Sequence, residues 1–200
     1  SPTRGVDSFM VENMHARSLA LTLVLALTAL IAAFAPGASA ATYCLYAGDC
    51  YGVPANVYPA TSQGFNDAGS AASSNPGADK IEIGHTPVEL TSSVALNATP
   101  TNQLAIEGVG GDNSLIHVGM SSGYGLLMSF GGELASGSIS NLKLKVDGPA
   151  SGARLGLDLT GGRASGISVE VDSGPNEVES YGMSIDSGSE CLYCSFAVSG

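Results

Sequence analysis

LGLDLTGGRASGISVEV, Leu155 to Val171, reads as two short alternating strands separated by a glycine-rich turn, LTGGRASGI. Nearly the same design lies on both sides of it: LLMSFGGELASGSISNLKLKV runs from Leu126 to Val146, and GMSIDSGSECLYCSFAV from Gly182 to Val198. One series of strands closes the units: LKLKV with Leu142, Leu144 and Val146, ISVEV with Ile167, Val169 and Val171, and CSFAV with Cys194, Phe196 and Val198. Each puts an apolar residue at every second position, the period of a strand with one face in a core. Their first residues are 25 and 27 positions apart. A second series opens the units: Ile81 and Ile83, Leu104 and Ile106, Leu126 and Met128, Leu155 and Leu157, Met183 and Ile185. Short strands recurring at this interval, with Gly, Ser and Asn between them, predict a solenoid in which each turn buries its apolar residues against the next. The alternative is an antiparallel sandwich, in which LTGGRASGI is a hairpin loop.

Upstream of the repeat, residues 14–40, MHARSLALTLVLALTALIAAFAPGASA, place His15 and Arg17 before a long apolar run that ends in small residues. This is the pattern of a secretory signal peptide, with cleavage expected before Ala41. A transmembrane anchor is the alternative for Leu19 to Ala35, but Pro36-Gly37 and Ala38-Ser39-Ala40 suit cleavage better. Residues 1–13 read as an upstream extension. The expected product is secreted or extracellular, with cell-surface association open and no membrane span after cleavage. It has 160 residues, enough for one domain with a real core.

After residue 40 the chain carries five Lys and Arg against sixteen Asp and Glu. Such acidity repels phosphate backbones and excludes nucleic acid as an expected partner. It also disfavours anionic polysaccharides unless a divalent cation bridges the charges. Export suits the cysteines, since Cys44 and Cys50 form a C-x5-C pair and Cys191 and Cys194 a C-x2-C pair. Both are candidate disulfides in an oxidising compartment. The second follows Gly188 and lies between strand-like segments, so nothing there would depress a thiol pKa as redox catalysis requires.

The run GFNDAGSAASSNPGADKIEIGHTPVEL, Gly64 to Leu90, with LAIEGVGGDNSLIHVG, Leu104 to Gly119, resembles the start of the secreted bacterial right-handed parallel β-helix proteins of the pectin lyase-like superfamily. The similarity extends over Thr42 to Gly200. It implies an all-β, right-handed parallel β-helix over residues 64–200, with a short N-terminal capping helix and a preceding segment at 41–63 that holds the first cysteine pair. Phe65, Ala68 and Ala72 share one face of the expected helix before Asn75-Pro76-Gly77, and Asp79 leads into the first strand. Whether more coils follow Gly200 is left open.

A fold does not specify a reaction. Polygalacturonan hydrolases of that superfamily share an Asn-Thr-Asp segment, an Asp-Asp pair, a Gly-His-Gly and an Arg-Ile-Lys, and none occurs here. The β-eliminating members use calcium-binding acids and a basic arginine or lysine. No motif selects such a base among Arg154, Arg163 and the lysines. The catalytic or metal candidates are Asp158 and Asp186, which would share a column about 4.8 Å apart if Leu157 aligns with Ile185. Such a pair could recruit calcium, the one cofactor considered, or raise one carboxyl pKa. Splayed, solvated carboxylates are the plainer reading. Tyr124, Tyr181 and Tyr193 are carbohydrate-stacking candidates on successive coils, though tyrosine beside glycine at a turn also serves as a plain cover. His85 and His117 are expected near strand edges in surface hydrogen bonds, and Asn97 opens an NAT sequon whose use Pro100 disfavours. Two function classes remain. One is a noncatalytic extracellular surface, adhesion or carbohydrate-binding module, and the other a polysaccharide lyase or glycoside hydrolase with an unrecognised or incomplete site.

Overall fold

A computed structural model describes residues 40–46, 56–109, 113–120, 122–129, 136–149, 152–174, 180–186 and 188–200. The expected signal peptide, the upstream extension, Cys50 and Gly110-Gly111 lie outside the described residues. The chain runs through β1 (Thr42–Leu45), β2 (Asn56–Tyr58) and helix α1 (Ser62–Ser74) into four three-strand coils. These are β3 (Gly77–Ile83), β4 (Val88–Leu90) and β5 (Val94–Asn97); β6 (Asn102–Gly108), β7 (Leu115–Gly119) and β8 (Gly123–Ser129); β9 (Gly137–Ser140), β10 (Lys143–Asp147) and β11 (Arg154–Thr160); and β12 (Gly162–Ser165), β13 (Ser168–Asp172) and β14 (Ser180–Ile185). β15 (Ser189–Leu192) and β16 (Ser195–Ser199) follow.

Three sheets result. The first orders its strands β15-β12-β9-β6-β3-β1-β2, the second β16-β13-β10-β7-β4, and the third β14-β11-β8-β5. Every ladder between these strands is parallel. The molecule is therefore a parallel β-solenoid, and the antiparallel sandwich is excluded. Parallel stacking lets each coil satisfy its neighbours' backbone groups along the axis.

The quoted stretch crosses all three sheets. Leu155–Thr160 belongs to the third, Gly162–Ser165 to the first and Ser168–Val171 to the second. What reads as a glycine-rich turn is thus itself a strand between two corners. Gly161 and Gly162, with φ of 73° and 77°, turn the first corner, and Gly166, with φ of 59°, turns the second. Positive φ costs an L side chain energy that glycine escapes.

Apolar ladders fill the interior. In the second sheet Val88, Ile116, Leu144, Val169 and Phe196 stand in register, followed by Leu90, Val118, Val146, Val171 and Val198. The closing series predicted from sequence is this sheet, in the register the spacing implied. Burying each Ile, Leu or Val stabilises by about 1.5–3 kcal/mol, which is why one missing rung matters.

The opening series is corrected. Its first two members lie in the first sheet and its last three in the third. In the third sheet the inward rungs are Val94, Leu126, Leu157 and Met183, then Leu96, Met128, Leu159 and Ile185. Leu155 therefore does not match Leu126, and it faces outward. The cause is a break in alternation: Gly125 and Leu126 are buried in succession, as are Gly156 and Leu157. A Cβ on Gly156 would overlap Val169 Cγ1 and lie 2.5 Å from the Gly182 carbonyl oxygen. Glycine thus lets the second and third sheets close on each other at this corner.

Helix α1 caps the first coil. Thr61 accepts a hydrogen bond from the Gly64 amide at its N-terminus, and Phe65, Ala68 and Ala72 are buried as expected. Gly69 brings the helix against Leu96, whose Cδ2 would lie 2.5 Å from an added Cβ. The helix starts at Ser62, slightly ahead of the expected boundary at residue 64.

Candidate functional site

The break in alternation that turns Leu155 outward does the same for the tyrosines two positions before Leu126 and Met183. Tyr124, Leu155 and Tyr181 are register partners on β8, β11 and β14, so they form one outward column. Tyr124 is 46% and Tyr181 56% exposed. Two steps of about 4.8 Å separate them along the axis, close to the length of a disaccharide unit. They flank a shallow depression of about 300 Å³ floored by Ala153, Arg154 and Leu155. The expectation that the tyrosines occupy successive coils is refined: Leu155 occupies the coil between Tyr124 and Tyr181.

Tyr193 stands apart from them. It forms the corner between β15 and β16 with φ of 56°, in series with Asn141 at 56° and Gly166 at 59° on the preceding coils. Its ring, 92% exposed, lies at one end of a groove of about 610 Å³ that Glu107 and Lys143 also line. The Cys191–Cys194 disulfide spans this corner, with Cα atoms 6.0 Å apart. Cys44 is buried and disulfide-bonded, whereas its expected partner Cys50 falls outside the described residues.

Among the described residues Lys80, Lys145, Arg154 and Arg163 hold ion-pair or hydrogen-bond partners, whereas the Lys143 side chain is exposed at the start of β10. Arg154, only 1% exposed, donates through Nη1 to the Asp172 carbonyl and through Nη2 to the Gly148 carbonyl at 2.9 Å. Arg163 pairs with Glu190 at 2.9 Å, and Lys80 bridges Glu82 at 2.6 Å and Glu107 at 3.2 Å. The Glu82 bond chiefly drives the Lys80 pKa upward against the opposing effect of burial.

A charged ladder crosses the outer face of the second sheet, with Glu89, His117, Lys145 and Glu170 in register. His117 lies at the centre of β7, not near a strand edge. Its Nδ1 is 2.5 Å from Glu89 Oε2 and its Nε2 2.8 Å from Asp147 Oδ1, while Lys145 Nζ reaches Asp147 Oδ2 at 2.9 Å. Burial alone would depress the His117 pKa. The hydrogen bonds and charges of Asp147 and Glu89 outweigh it and raise the pKa above the ordinary 6.5. Asp147 is pushed below its ordinary 3.8, first by the Lys145 hydrogen bond and then by His117, against desolvation. With both ring nitrogens engaged, His117 is a poor general base and a good electrostatic staple. Sequence reading passed over this ladder, because its members come from four coils. The signal is the outward parity of His117 and Lys145 once their strands are aligned.

The Asp158 and Asp186 column is corrected. Asp158 pairs in register with Leu127 and Ser184, and Ile185 faces Leu159 instead of Leu157. Asp186 thus falls two positions beyond Asp158, just past the end of β14, where its amide donates to the Leu159 carbonyl at 3.0 Å. The register itself is constant along β11 and β14; the successive burial of Gly156 and Leu157 breaks period two, so that Leu157 and not Leu155 is the rung that meets Met183. Among the described residues, no group of three or more His, Cys, Asp or Glu is placed to hold a metal ion. His85 is exposed in the turn between β3 and β4, and Asn97 is exposed at the end of β5. No helix among the described residues is long and apolar enough to cross a membrane.

Compared with protein-family models, curated proteins and solved structures, the chain matches none.

Proposed function

We propose that the chain is a noncatalytic, exported solenoid of the right-handed, pectin lyase-like kind, whose lateral wall binds a neutral extracellular polysaccharide at Tyr124 and Tyr181. The observation that carries this reading is the outward column Tyr124–Leu155–Tyr181, in register across three coils with both tyrosines about half exposed and Leu155 partly exposed between them. Tyrosine rings stack on the apolar faces of sugar rings while the phenol hydroxyls meet the hydroxyl rim. A formal net charge of −11 turns the preference towards uncharged chains. The partnering of Arg154, Arg163, Lys80 and His117 described above supports binding over cleavage, because lyase and hydrolase chemistry needs a base that can exchange its proton. The capping helix and three parallel sheets support the pectin lyase-like assignment.

The test is affinity electrophoresis through a panel of neutral and acidic polysaccharides, with reducing-end release measured in parallel. The expected result is retardation by a neutral glucan, mannan or xylan without release of new ends, and loss of most of that retardation in Tyr124→Ala/Tyr181→Ala. Equal retardation of that variant and the wild type would refute the binding strip. Depolymerisation abolished by Asp158→Asn or Asp186→Asn would put a lyase or hydrolase in place of the binding module.

A further inference from the structure

Asp79 is the best-buried carboxylate among the described residues, 2% exposed, on β3 beneath the first described residues of the chain. Its Oδ1 accepts two hydrogen bonds, from the Ala41 backbone N–H at 2.8 Å and from Asn75 Nδ2 at 2.9 Å. Its Oδ2 makes no hydrogen bond among the described residues. A buried carboxylate served by two neutral donors on one oxygen leaves its charge uncompensated, an arrangement that costs several kcal/mol in a protein interior unless a cation is supplied. The donor already in place is the nitrogen that the leader pattern marks for release. Ala41 follows Ala38-Ser39-Ala40, the small-residue end of that pattern.

We propose that cleavage of the Ala40–Ala41 bond during export creates an α-ammonium that is held by Asp79, so that processing completes the N-terminal cap of the solenoid. The inference rests on the export reading given above. In the cleavage, catalysed by an export-linked endopeptidase, water adds across the peptide bond. The water oxygen goes to the Ala40 carbonyl carbon, the C–N bond breaks, and the Ala41 nitrogen leaves as an amine that takes up a proton near neutral pH. That nitrogen then carries three N–H donors and a positive charge where it had one donor and none. One donor keeps the bond to Oδ1, and another is available for Oδ2. Ala41 is already anchored there, since its carbonyl accepts from the Lys80 amide at 2.9 Å and β1 follows it directly.

The groups facing this site are few. Lys80 and Arg163 line the same depression as Ala41 and Asp79, and Tyr43 on β1 is close enough to feel the Asp79 charge. Burial first, and then the Asp79 charge, raises the Tyr43 phenol above its ordinary 10.0. Both Lys80 and Arg163 have carboxylate partners of their own, in Glu82 with Glu107 and in Glu190. Asn75, which caps the C-terminus of helix α1, contributes a neutral donor and no charge. The attraction needs the charged form of the amine, so the stability it adds is lost as rising pH removes the ammonium proton.

The experiment expresses the full chain in an exporting bacterial host and reads the start of the exported protein by intact mass. Thermal melting of that protein is compared with the same protein whose α-amine has been removed by N-terminal transamination. The expected start is Ala41, and the expected melting temperature at pH 6 falls on transamination by about 5 °C. The gap should close at high pH and be absent in Asp79→Asn; the pH profile alone decides if that variant fails to fold. A chain that starts at Ala41 but melts identically with and without its amine would overturn the docking while leaving the export reading intact. An exported chain that starts elsewhere would overturn the docking of Ala41 while leaving export standing, and a chain retained in the cell with residues 1–40 uncleaved would overturn the export reading and the docking with it.

Discussion

Gly156→Ala adds a single methyl group at the narrow corner between the second and third sheets. The new Cβ would overlap Val169 Cγ1, lie 2.5 Å from the Gly182 carbonyl oxygen and stand 3.1 Å from Val171 Cγ2. Carbon contacts are comfortable at about 3.5–4.0 Å, so three neighbours must move. The two valines belong to the β13 ladder and the carbonyl to the adjacent coil, so no flexible side-chain end can absorb the shift. Overpacking of this kind costs about 1–3 kcal/mol, and the backbone clash puts this site at the upper end. Replacing glycine returns about 0.5–1 kcal/mol by restricting the unfolded chain, which leaves a net loss of about 2 kcal/mol. For a domain of this size that lowers the melting temperature by about 4–8 °C. The control is Gly119→Ala, where the nearest atom to an added Cβ is the Leu90 carbonyl oxygen at 3.9 Å. Calorimetry of the two variants should show a clear drop for the first and no drop for the second. Equal melting temperatures would refute the close approach of the two sheets at Gly156 and, with it, the explanation of the register.

His117→Gln should lower stability by about 1 kcal/mol near pH 6 and flatten the pH profile on the alkaline side. The raised His117 pKa makes its contribution complete below 6.5 and lost as pH rises through the raised value, while the lowered Asp147 pKa makes its contribution complete above 3.8 and lost as pH falls through the lowered one. Wild-type melting followed by circular dichroism should therefore reach its best between those limits, and a maximum near pH 9 would contradict the network. Replacing both Cys191 and Cys194 with Ser removes a very short loop closure worth about 2 kcal/mol on the chain-entropy model, seen as earlier hydrogen exchange in β15 and β16. Asp158→Asn/Asp186→Asn should leave melting unchanged whether calcium is added or chelated, since the two carboxylates stand in different columns; a calcium-dependent rise lost in that variant would restore the pair.

The second sheet was legible because LKLKV, ISVEV and CSFAV carry one inward residue at every second position with constant spacing. The third was legible as strands but not in register. Period two takes LGL as two inward leucines, whereas the sterics at Gly156 turn Leu155 out, and one such slip moved both the tyrosine column and the aspartate pair. The first sheet faded beyond β6 because GSIS, GRAS and SECL place only Ile139, Ala164 and Cys191 on their inward rungs. A four-residue strand with a small inward side chain and flanking glycines has the composition of a turn. Alternation along one strand does not reveal contacts between coils, so the His117 staple and the Asp79 pocket become visible only once register is known.

The most direct test of the parallel solenoid is an isotope-edited nuclear Overhauser map of the second-sheet ladder. The account predicts backbone contacts linking Ile116 to Leu144, Leu144 to Val169 and Val169 to Phe196, all in the same direction along the strands. Antiparallel contacts across a hairpin, joining Leu159 to Ile167 and Leu157 to Val169 as ladder partners, would contradict it.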